Sequence, residues 1–416
     1  MATVSRVRRL ARFVPTVGPV LLALAAAEIG ARLLRPRAPR IEPAPVRAED
    51  YFSADEIERG TRFARPQLAL GVARAAFELA ALAAVVVRVR SKRDEPARQW
   101  GAGPIAGGAA AGVALAVGTT LAPLPLAAVA RRRAMAVGLI TQSWRGWAVD
   151  LLKSTAIEAT LAAGAGAAAV ALTRRYPRRW WIPGAAGSVA LGTLLGTLAP
   201  VLLDPVFNDF TPLPEGETRA DVLELARAAG VEVGEVYSVD ASRRTTGANA
   251  YVTGLGPTKR VVLFDTLLDR YGRDEVRVVV AHELAHVRNR DVLRGVAFAA
   301  IVAPAAALAV QRLSWQLSPE RGTARALPAM AMAAALVAPP IGLIVNRTSR
   351  AIERRADQYS LELSGAPQAF ISFERAIAVQ NVADLRPPRW VTSLLATHPP
   401  TLERIGAAVA YAERPD

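Results

Sequence analysis

Cysteine is absent from the 416 residues, and histidine and lysine occur only three times each. The lack of cysteine excludes disulfides, thiolate zinc sites and cysteine nucleophiles. A metal site built on imidazole must therefore draw on His282, His286 and His398. No internal repeat or low-complexity linker is visible, which argues against a transporter assembled from repeated halves.

Because lysine is so rare, arginine carries the formal net charge of +15. The arginines lie in hydrophilic connections and at the ends of apolar blocks, without interleaved aromatic residues or a nucleic-acid-binding motif. This distribution predicts no nucleic-acid partner and indicates positions that flank a lipid bilayer. The positive-inside rule assigns no orientation, since arginine clusters occur on both sets of alternating connections.

Hydrophobic residues make up 52% of the chain and gather in Ala/Leu/Val blocks. A block of about 20 apolar residues is long enough to cross a bilayer. The first block could instead belong to a cleaved signal peptide, with a small-residue site at 25–27, but it continues past that site and favours a retained span. Residues 35–67, rich in proline and charge, are predicted to be a solvated connection. The predicted spans are about 13–34, 68–87, 103–130, 154–172, 181–203, 295–310 and 327–345.

One apolar stretch reads His282-Glu283-Leu284-Ala285-His286. Histidines at i and i+4 lie on one face of a helix, about one turn apart, so both rings can bind one Zn²⁺. Glu283 is then close enough to take a proton from the attacking water, which is why the spacing indicates zinc-dependent peptide hydrolysis. The alternative is a chance pair of core histidines, a rare coincidence in a chain with three.

A third ligand is expected from Glu353, in a second helical stretch. Asp357 lies four residues later on the same face and could accept the free ring N–H of a ligating histidine. A solvated, charged helix would also explain both residues, but the upstream histidine motif favours the ligand interpretation. The expected cofactor is one Zn²⁺ per chain.

From residue 204 the mixed polar and apolar pattern predicts an α+β unit with a helix over 219–229 and strands at 231–239, 250–253 and 260–264, the last two joined by a hairpin around 254–257. The predicted fold is therefore mostly α: a multi-pass helical membrane protein of about seven transmembrane helices with a split α+β, zincin-like catalytic unit. Its segments are helices 1–5 (1–203), a catalytic segment with the histidine motif (204–291), helices 6–7 (292–347) and a second catalytic segment with the third ligand (348–416).

The chain resembles the integral-membrane zinc metallopeptidases typified by the type 1 CAAX prenyl endopeptidase. The resemblance implies seven spans around an inner chamber that the zinc site faces. It also implies a cell-membrane location, with the site facing the cytoplasm or a chamber open to it. The stretches that carry it are 138–142, 150–154, 205–208, 211–213, 249–251, 262–268, the two zinc motifs and 397–400.

The resemblance implies further roles in the site. Asn249, with Ala250 and Tyr251, matches a strand edge that binds the substrate backbone, although an asparagine chosen for a turn is the alternative. His398 matches a histidine that steadies the oxyanion, with a buried, hydrogen-bonded histidine as the alternative. Arg350 could pair with a carboxylate of the site or lie on the surface.

The sequence predicts a membrane-integrated zinc endopeptidase that cleaves peptide or protein substrates, which could be lipidated or membrane-embedded. Glu283, Asn249, His398 and Asp357 are the residues expected to support catalysis beside the three ligands. A quality-control protease of the HtpX-like branch, with about four spans, is one alternative. A catalytically silent membrane scaffold is another, although such a protein has no need of Glu283.

Overall fold

The computed structural model describes residues 2–36, 41–91, 103–254 and 259–414, with side chains described from residue 17 onward. Within these ranges the chain forms fourteen α-helices and four β-strands. The helices are α1 (Ala2–Leu34), α2 (Ala54–Ser91), α3 (Gly103–Leu121), α4 (Leu124–Ala136), α5 (Trp144–Arg175), α6 (Trp181–Leu202), α7 (Asp204–Phe207), α8 (Glu217–Ala228), α9 (Asp265–Arg270), α10 (Arg273–Arg288), α11 (Asp291–Leu317), α12 (Leu327–Ser364), α13 (Pro367–Gln380) and α14 (Thr401–Ala412). The strands are β1 (Phe210–Pro212), β2 (Glu235–Val239), β3 (Ala250–Thr253) and β4 (Arg260–Phe264).

Seven helices of the described ranges are long and apolar enough to cross a membrane, namely α1, α2, α3, α5, α6, α11 and α12. The predicted number of spans is thus confirmed, while some bounds differ. The third helix ends at Leu121, and Pro123 precedes α4, so the predicted span to 130 is too long. Large apolar side chains such as Leu152, 71% exposed, point outward, as expected where lipid would cover the surface.

Small residues bring the spans into close contact. Gly112 of α3 lies so near α5 that an added Cβ would be 2.1 Å from the carbonyl oxygen of Ala162. In α1, Ala23 and Ala27 have no exposed surface, and Gly30 faces the ring of Phe298 of α11. Small side chains allow such backbone approach, which is how membrane helices gain packing energy.

The described part of the connection predicted over 35–67 is largely exposed or half-buried, as expected, but it is more structured than predicted. Residues 54–67 form the first, charged turns of α2, so this helix begins well before its apolar run. Before it, the extended segment packs on α14: Ala44 N–H donates to the Gly406 carbonyl at 3.0 Å, and Phe52 is 4% exposed. The contact could not be predicted from the sequence, because the apolar residues of this segment are isolated between prolines and charged residues and show no periodicity.

The four strands form one sheet in the order β1-β2-β4-β3. β1 and β2 are antiparallel, β2 and β4 parallel, and β4 and β3 antiparallel, with Ala250 opposite Leu263. The α+β prediction for this segment agrees, while the turn residues 255–258 of the predicted hairpin lie outside the described residues. Val236, Val261 and Leu284 are among the buried residues that join the sheet to α8 and α10 in one core.

Helices α10 and α12 meet in the interior. Ser360 Oγ donates to the Val278 carbonyl at 2.7 Å, and Leu284 and Leu361 have no exposed surface. Since α12 is continuous from Leu327 to Ser364, the predicted division between 347 and 348 falls inside one helix. Helix α12 therefore begins as a candidate membrane span, and its last turns pack against the histidine helix α10.

Candidate metal centre

Helix α10 presents the histidine motif on its less buried face. It begins where the Gly272 N–H donates to the Glu275 carboxylate at 2.7 Å, satisfying one free amide of the first turn. Val276, Val280 and Leu284 recur at a spacing of four residues and pack into the core. His282, Glu283 and His286 consequently lie on the remaining face, which is only partly buried.

The structure brings His282, His286 and Glu353 together, with one potential ligand atom of each within 4.8 Å of the others. His282 Nε2 lies 3.3 Å from Glu353 Oε2 and 3.3 Å from His286 Nε2, while His286 Nε2 lies 3.8 Å from Glu353 Oε1. Two imidazole nitrogens and one carboxylate thus face a common point.

These residues fit a zinc ion. Glu353 is 8% exposed, and its buried Oε2 accepts no well-aligned hydrogen bond, although His282 Nε2 and His398 Nε2 each lie 3.3 Å away. A buried carboxylate oxygen without such a bond is costly in an apolar interior unless a cation or donor satisfies it. Two histidines and one glutamate are a donor set of catalytic zinc sites, which leave a further position open.

Behind His282, the Nδ1 atom lies 3.0 Å from Asp357 Oδ1. Arg404 donates to both oxygens of Asp357, at 2.9 and 2.6 Å, and approaches Glu374 at 2.5 Å. Burial alone would lower the pKa of His282, but Asp357 and Glu353 raise it to about 10. Burial raises the pKa of Glu374, on the far side of Arg404, to about 7 despite the nearby arginine. Asp357 lies against His282 Nδ1, which is the position expected for a residue that orients this ring.

A matching arrangement supports His286, and the sequence analysis did not assign it. His286 Nδ1 lies 3.1 Å from Asp291 Oδ2, and Arg355 donates to Asp291 from α12. Asp291 is the first residue of α11, one turn beyond the histidine helix. Its position five residues after His286 is the only feature of the nearby sequence that could have indicated this role. Arg355, Glu374 and Arg404 reach the site through tertiary contacts, which the sequence does not show.

Glu283 lies in the wall of a cavity of about 340 Å³, together with Asn249, His282 and His398. Burial raises the pKa of the Glu283 carboxyl above its ordinary value. A carboxyl with a raised pKa beside a candidate metal site is suited both to accept and to release a proton.

His398 Nε2 lies 3.3 Å from Glu353 Oε2, and its ring Nδ1 is 2.9 Å from Thr397 Oγ1. Its side chain is 62% exposed, so the alternative of a buried histidine is wrong. The predicted pairing of Arg350 with a site carboxylate is wrong as well, and so is the surface alternative. Arg350 is 8% exposed and donates to the carbonyls of Ser393 and Ala396, because the segment leading to His398 folds over this face of α12.

In the stretch predicted to bind substrate, the side chains of Ala250 and Tyr251 are engaged within the fold. Ala250 is 2% exposed and packs into the core, and the Tyr251 hydroxyl donates to Asp204 Oδ2 at 3.1 Å. The Asn249 side chain is exposed to the cavity, while its carbonyl accepts from Phe264 N–H at 3.0 Å. β3 is an outer strand of the sheet, so its other edge is not paired within it.

Helices able to cross a membrane and a histidine–glutamate cluster suited to zinc place the chain in the class of integral-membrane metallopeptidases. Two family models match in tandem. Residues 38–209 match the CAAX prenyl protease N-terminal region of five membrane helices, and residues 212–412 match peptidase family M48.

Curated relatives agree with these matches. The protein named uncharacterized metalloprotease YhfN, from Bacillus subtilis, is 30% identical over 307 residues, covering 72% of each chain. A CAAX prenyl protease 1 homolog of Oryza sativa is 30% identical over 226 residues, covering 52% of this chain and 53% of that one. CAAX prenyl protease 1 of Saccharomyces cerevisiae is 41% identical over 103 residues, covering 24% of this chain and 23% of its own.

Among solved structures, S. mikatae Ste24p superposes with a TM-score of 0.74 at 19% identity, covering 95% of this chain and 97% of that chain. This likeness shows the shared fold. The chain belongs to peptidase family M48. It is a multi-pass membrane metalloendopeptidase similar to CAAX prenyl protease 1, and enzymes of the family depend on zinc. Seven candidate spans do not fit the four-span alternative. The intact histidine–glutamate cluster and the metalloprotease relatives favour an enzyme over a silent scaffold.

Proposed function

We propose that this chain is a zinc endopeptidase holding one ion per chain through His282, His286 and Glu353, and that Glu283 moves the proton during peptide hydrolysis. The convergence of the three ligand atoms, beside a buried Glu353 oxygen that accepts no well-aligned hydrogen bond, is the observation that carries the proposal. A zinc ion held there would polarise the scissile carbonyl and acidify the attacking water.

The Glu283 carboxylate would accept the proton from water as the oxygen attacks the carbonyl carbon. Once the C–N bond breaks, the same carboxyl delivers that proton to the leaving amine, which restores the carboxylate. Burial raises the pKa of Glu283, which suits a group that must both take and give a proton. His398 stands beside Glu353 and could donate a hydrogen bond to the developing oxyanion.

The substrate backbone would lie along β3. Because Phe264 N–H donates to the Asn249 carbonyl, and hydrogen-bonded pairs alternate along an antiparallel ladder, the N–H and C=O of Ala250 point away from β4. An extended peptide can add to such an edge through main-chain bonds once it displaces the groups that leave Ala250 only 2% exposed. The exposed Asn249 side chain, in the same cavity as Glu283, would contact that peptide.

Substrates are proposed to be peptides or proteins at the membrane, including prenylated chains, as the names of the CAAX prenyl protease relatives suggest. The proposed location is the cell membrane, with the site open to the cytoplasm or to a chamber continuous with it. A library of peptides with and without a farnesyl group, supplied to the purified protein, would show whether the lipid matters.

The proposed function is tested by zinc content and peptide cleavage in the parent and in Glu283→Gln. The substitution keeps the shape of the side chain but removes the group that accepts the proton. We expect about one zinc per chain in both proteins and cleavage only in the parent. Zinc loss in the variant would show that Glu283 is a ligand instead, and cleavage retained in the variant would refute its role in proton transfer.

A further inference from the structure

A second cavity, of about 560 Å³, lies between the end of α1, the charged part of α12 and the segment that precedes His398. It shares no lining residue with the 340 Å³ cavity that contains Glu283. Its charged lining consists of Arg32, Arg35, Arg347, Arg350 and Arg354 with Glu28 and Glu403. We call it the basic cavity, since five arginines against two glutamates leave a formal charge of +3.

The two glutamates are already engaged by arginines of the lining. Glu28 binds both Arg32 and Arg347, at 2.6 Å each, and Glu403 binds Arg354. One carboxylate shared by two guanidinium groups leaves one of the two positive charges without compensation. The cavity therefore keeps a net positive field even though several of its arginines have partners.

Arg350 adds a buried charge to that field. It is 8% exposed, and its hydrogen bonds go to the neutral carbonyls of Ser393 and Ala396. Arg350 takes part in none of the ion pairs of the described chain, and Glu403, the carboxylate that acts on its charge, is already paired with Arg354. A buried cation without a counter-ion is costly, and an anion in the basic cavity would offset that cost.

The position of the cavity indicates which anion it takes. The candidate span of α1 ends at Leu34, immediately before Arg35, and the apolar run of α12 gives way to charge at Arg347. Both helices thus leave the apolar zone at this cavity. Arginines placed just beyond membrane spans attract anionic headgroups, and a guanidinium matches two oxygens of a phosphate.

We propose that the basic cavity binds the phosphate-bearing headgroup of an anionic membrane lipid, with Arg35 and Arg347 at its rim and Arg350 at its base. Since Arg350 also holds the segment that leads to His398, a bound headgroup would lie next to that segment. A lipid is favoured over the peptide substrate because the cavity lies at the span ends and is separate from the cavity of Glu283.

The test measures binding of phosphatidylglycerol to the purified, zinc-loaded full chain in uncharged detergent, by native mass spectrometry. Phosphatidylcholine with the same acyl chains is the comparison lipid, because its headgroup has no net charge. Arg35→Gln/Arg347→Gln removes two exposed rim charges. We expect phosphatidylglycerol to bind roughly fivefold more weakly per arginine lost, or about 25-fold for both, with phosphatidylcholine unaffected.

Arg88→Gln/Arg90→Gln is the matched control, since these exposed arginines lie at the end of another span, α2. An equal loss of phosphatidylglycerol in the control would attribute binding to general surface charge and overturn the proposal. Inorganic phosphate that binds as well as the lipid, and is lost in the cavity variant, would make this a free-anion site instead. In a further outcome, the cavity variant would keep its lipid affinity but show a raised KM for peptides with a free C-terminal carboxylate and not for amidated ones. This result would show that the basic cavity binds the substrate and not a lipid.

Discussion

Replacement of Asp357 with asparagine probes the support of the proposed zinc ligand His282. The carboxylate is 3% exposed, lies 3.0 Å from His282 Nδ1 and accepts two bonds from Arg404. Asparagine has nearly the same shape but only one acceptor oxygen and an added NH₂ donor. The variant therefore changes hydrogen bonding and charge while leaving the volume of the site intact.

Either orientation of the new amide is unfavourable. With its oxygen toward Arg404, its NH₂ faces His282 Nδ1, which must then become the acceptor and move the ring proton to Nε2. That tautomer blocks Nε2, the nitrogen that faces Glu353 and His286. With its oxygen toward His282, the NH₂ meets the donors of Arg404, and a buried donor left unpaired costs about 1–3 kcal/mol.

Loss of a partner behind a metal-ligating histidine weakens metal binding by about 10- to 100-fold. We therefore expect the Kd for zinc of Asp357→Asn to rise within that range, measured by competition with a chromogenic chelator, together with a fall in Tm. Peptide cleavage at saturating zinc should recover part of the parent rate, because the three proposed ligands remain.

Asp221→Asn is the matched control. Asp221 is 4% exposed and binds Arg273 and Arg277 at 2.6–2.9 Å, so it is an equally buried carboxylate paired with arginine, but it touches none of the proposed ligands. It should lower Tm without altering the Kd for zinc. If Asp357→Asn behaves in the same way, Asp357 stabilises the fold only and the orienting role is refuted.

Three further predictions concern the same site. Because the pKa of His282 is raised to about 10 in the metal-free arrangement, zinc binding near neutral pH should release about one proton per ion and should tighten as pH rises. Calorimetry in buffers of different ionisation enthalpy measures this release. Zinc binding without proton release would contradict a protonated His282 in the metal-free protein. His398→Gln should lower kcat by about 10²- to 10³-fold with zinc content unchanged, and loss of zinc would instead indicate a ligand. Asn249→Ala should raise KM on the order of tenfold without lowering Tm, since the exposed side chain supports no core contact and the carbonyl bond to Phe264 remains; a lower Tm would favour the turn interpretation.

Patterns within a short stretch of sequence were sufficient to predict the membrane helices and the helix face that carries the histidines. The seven apolar blocks predicted the membrane helices because crossing a bilayer requires a long apolar run wherever it occurs. The spacing of His282 and His286 likewise predicted a common helix face. Helix ends were less predictable: α2 extends back to Ala54 through charged residues, since its first turns pack against the loop at Ala383 and Asp384.

The spans, the histidine motif and the shared face of Glu353 and Asp357 could be predicted because each depends on residue spacing along one helix. Glu353 was favoured as the third ligand because the chain has no cysteine and few histidines. Only the tertiary structure placed Asp291, Arg404 and Glu374 around the ligands, since they come from separate helices that meet through packing. The same holds for Arg350, for which the sequence left a site carboxylate and the protein surface as alternatives. The fold directs it to carbonyls of the segment before His398, because that segment occupies the neighbouring face of α12.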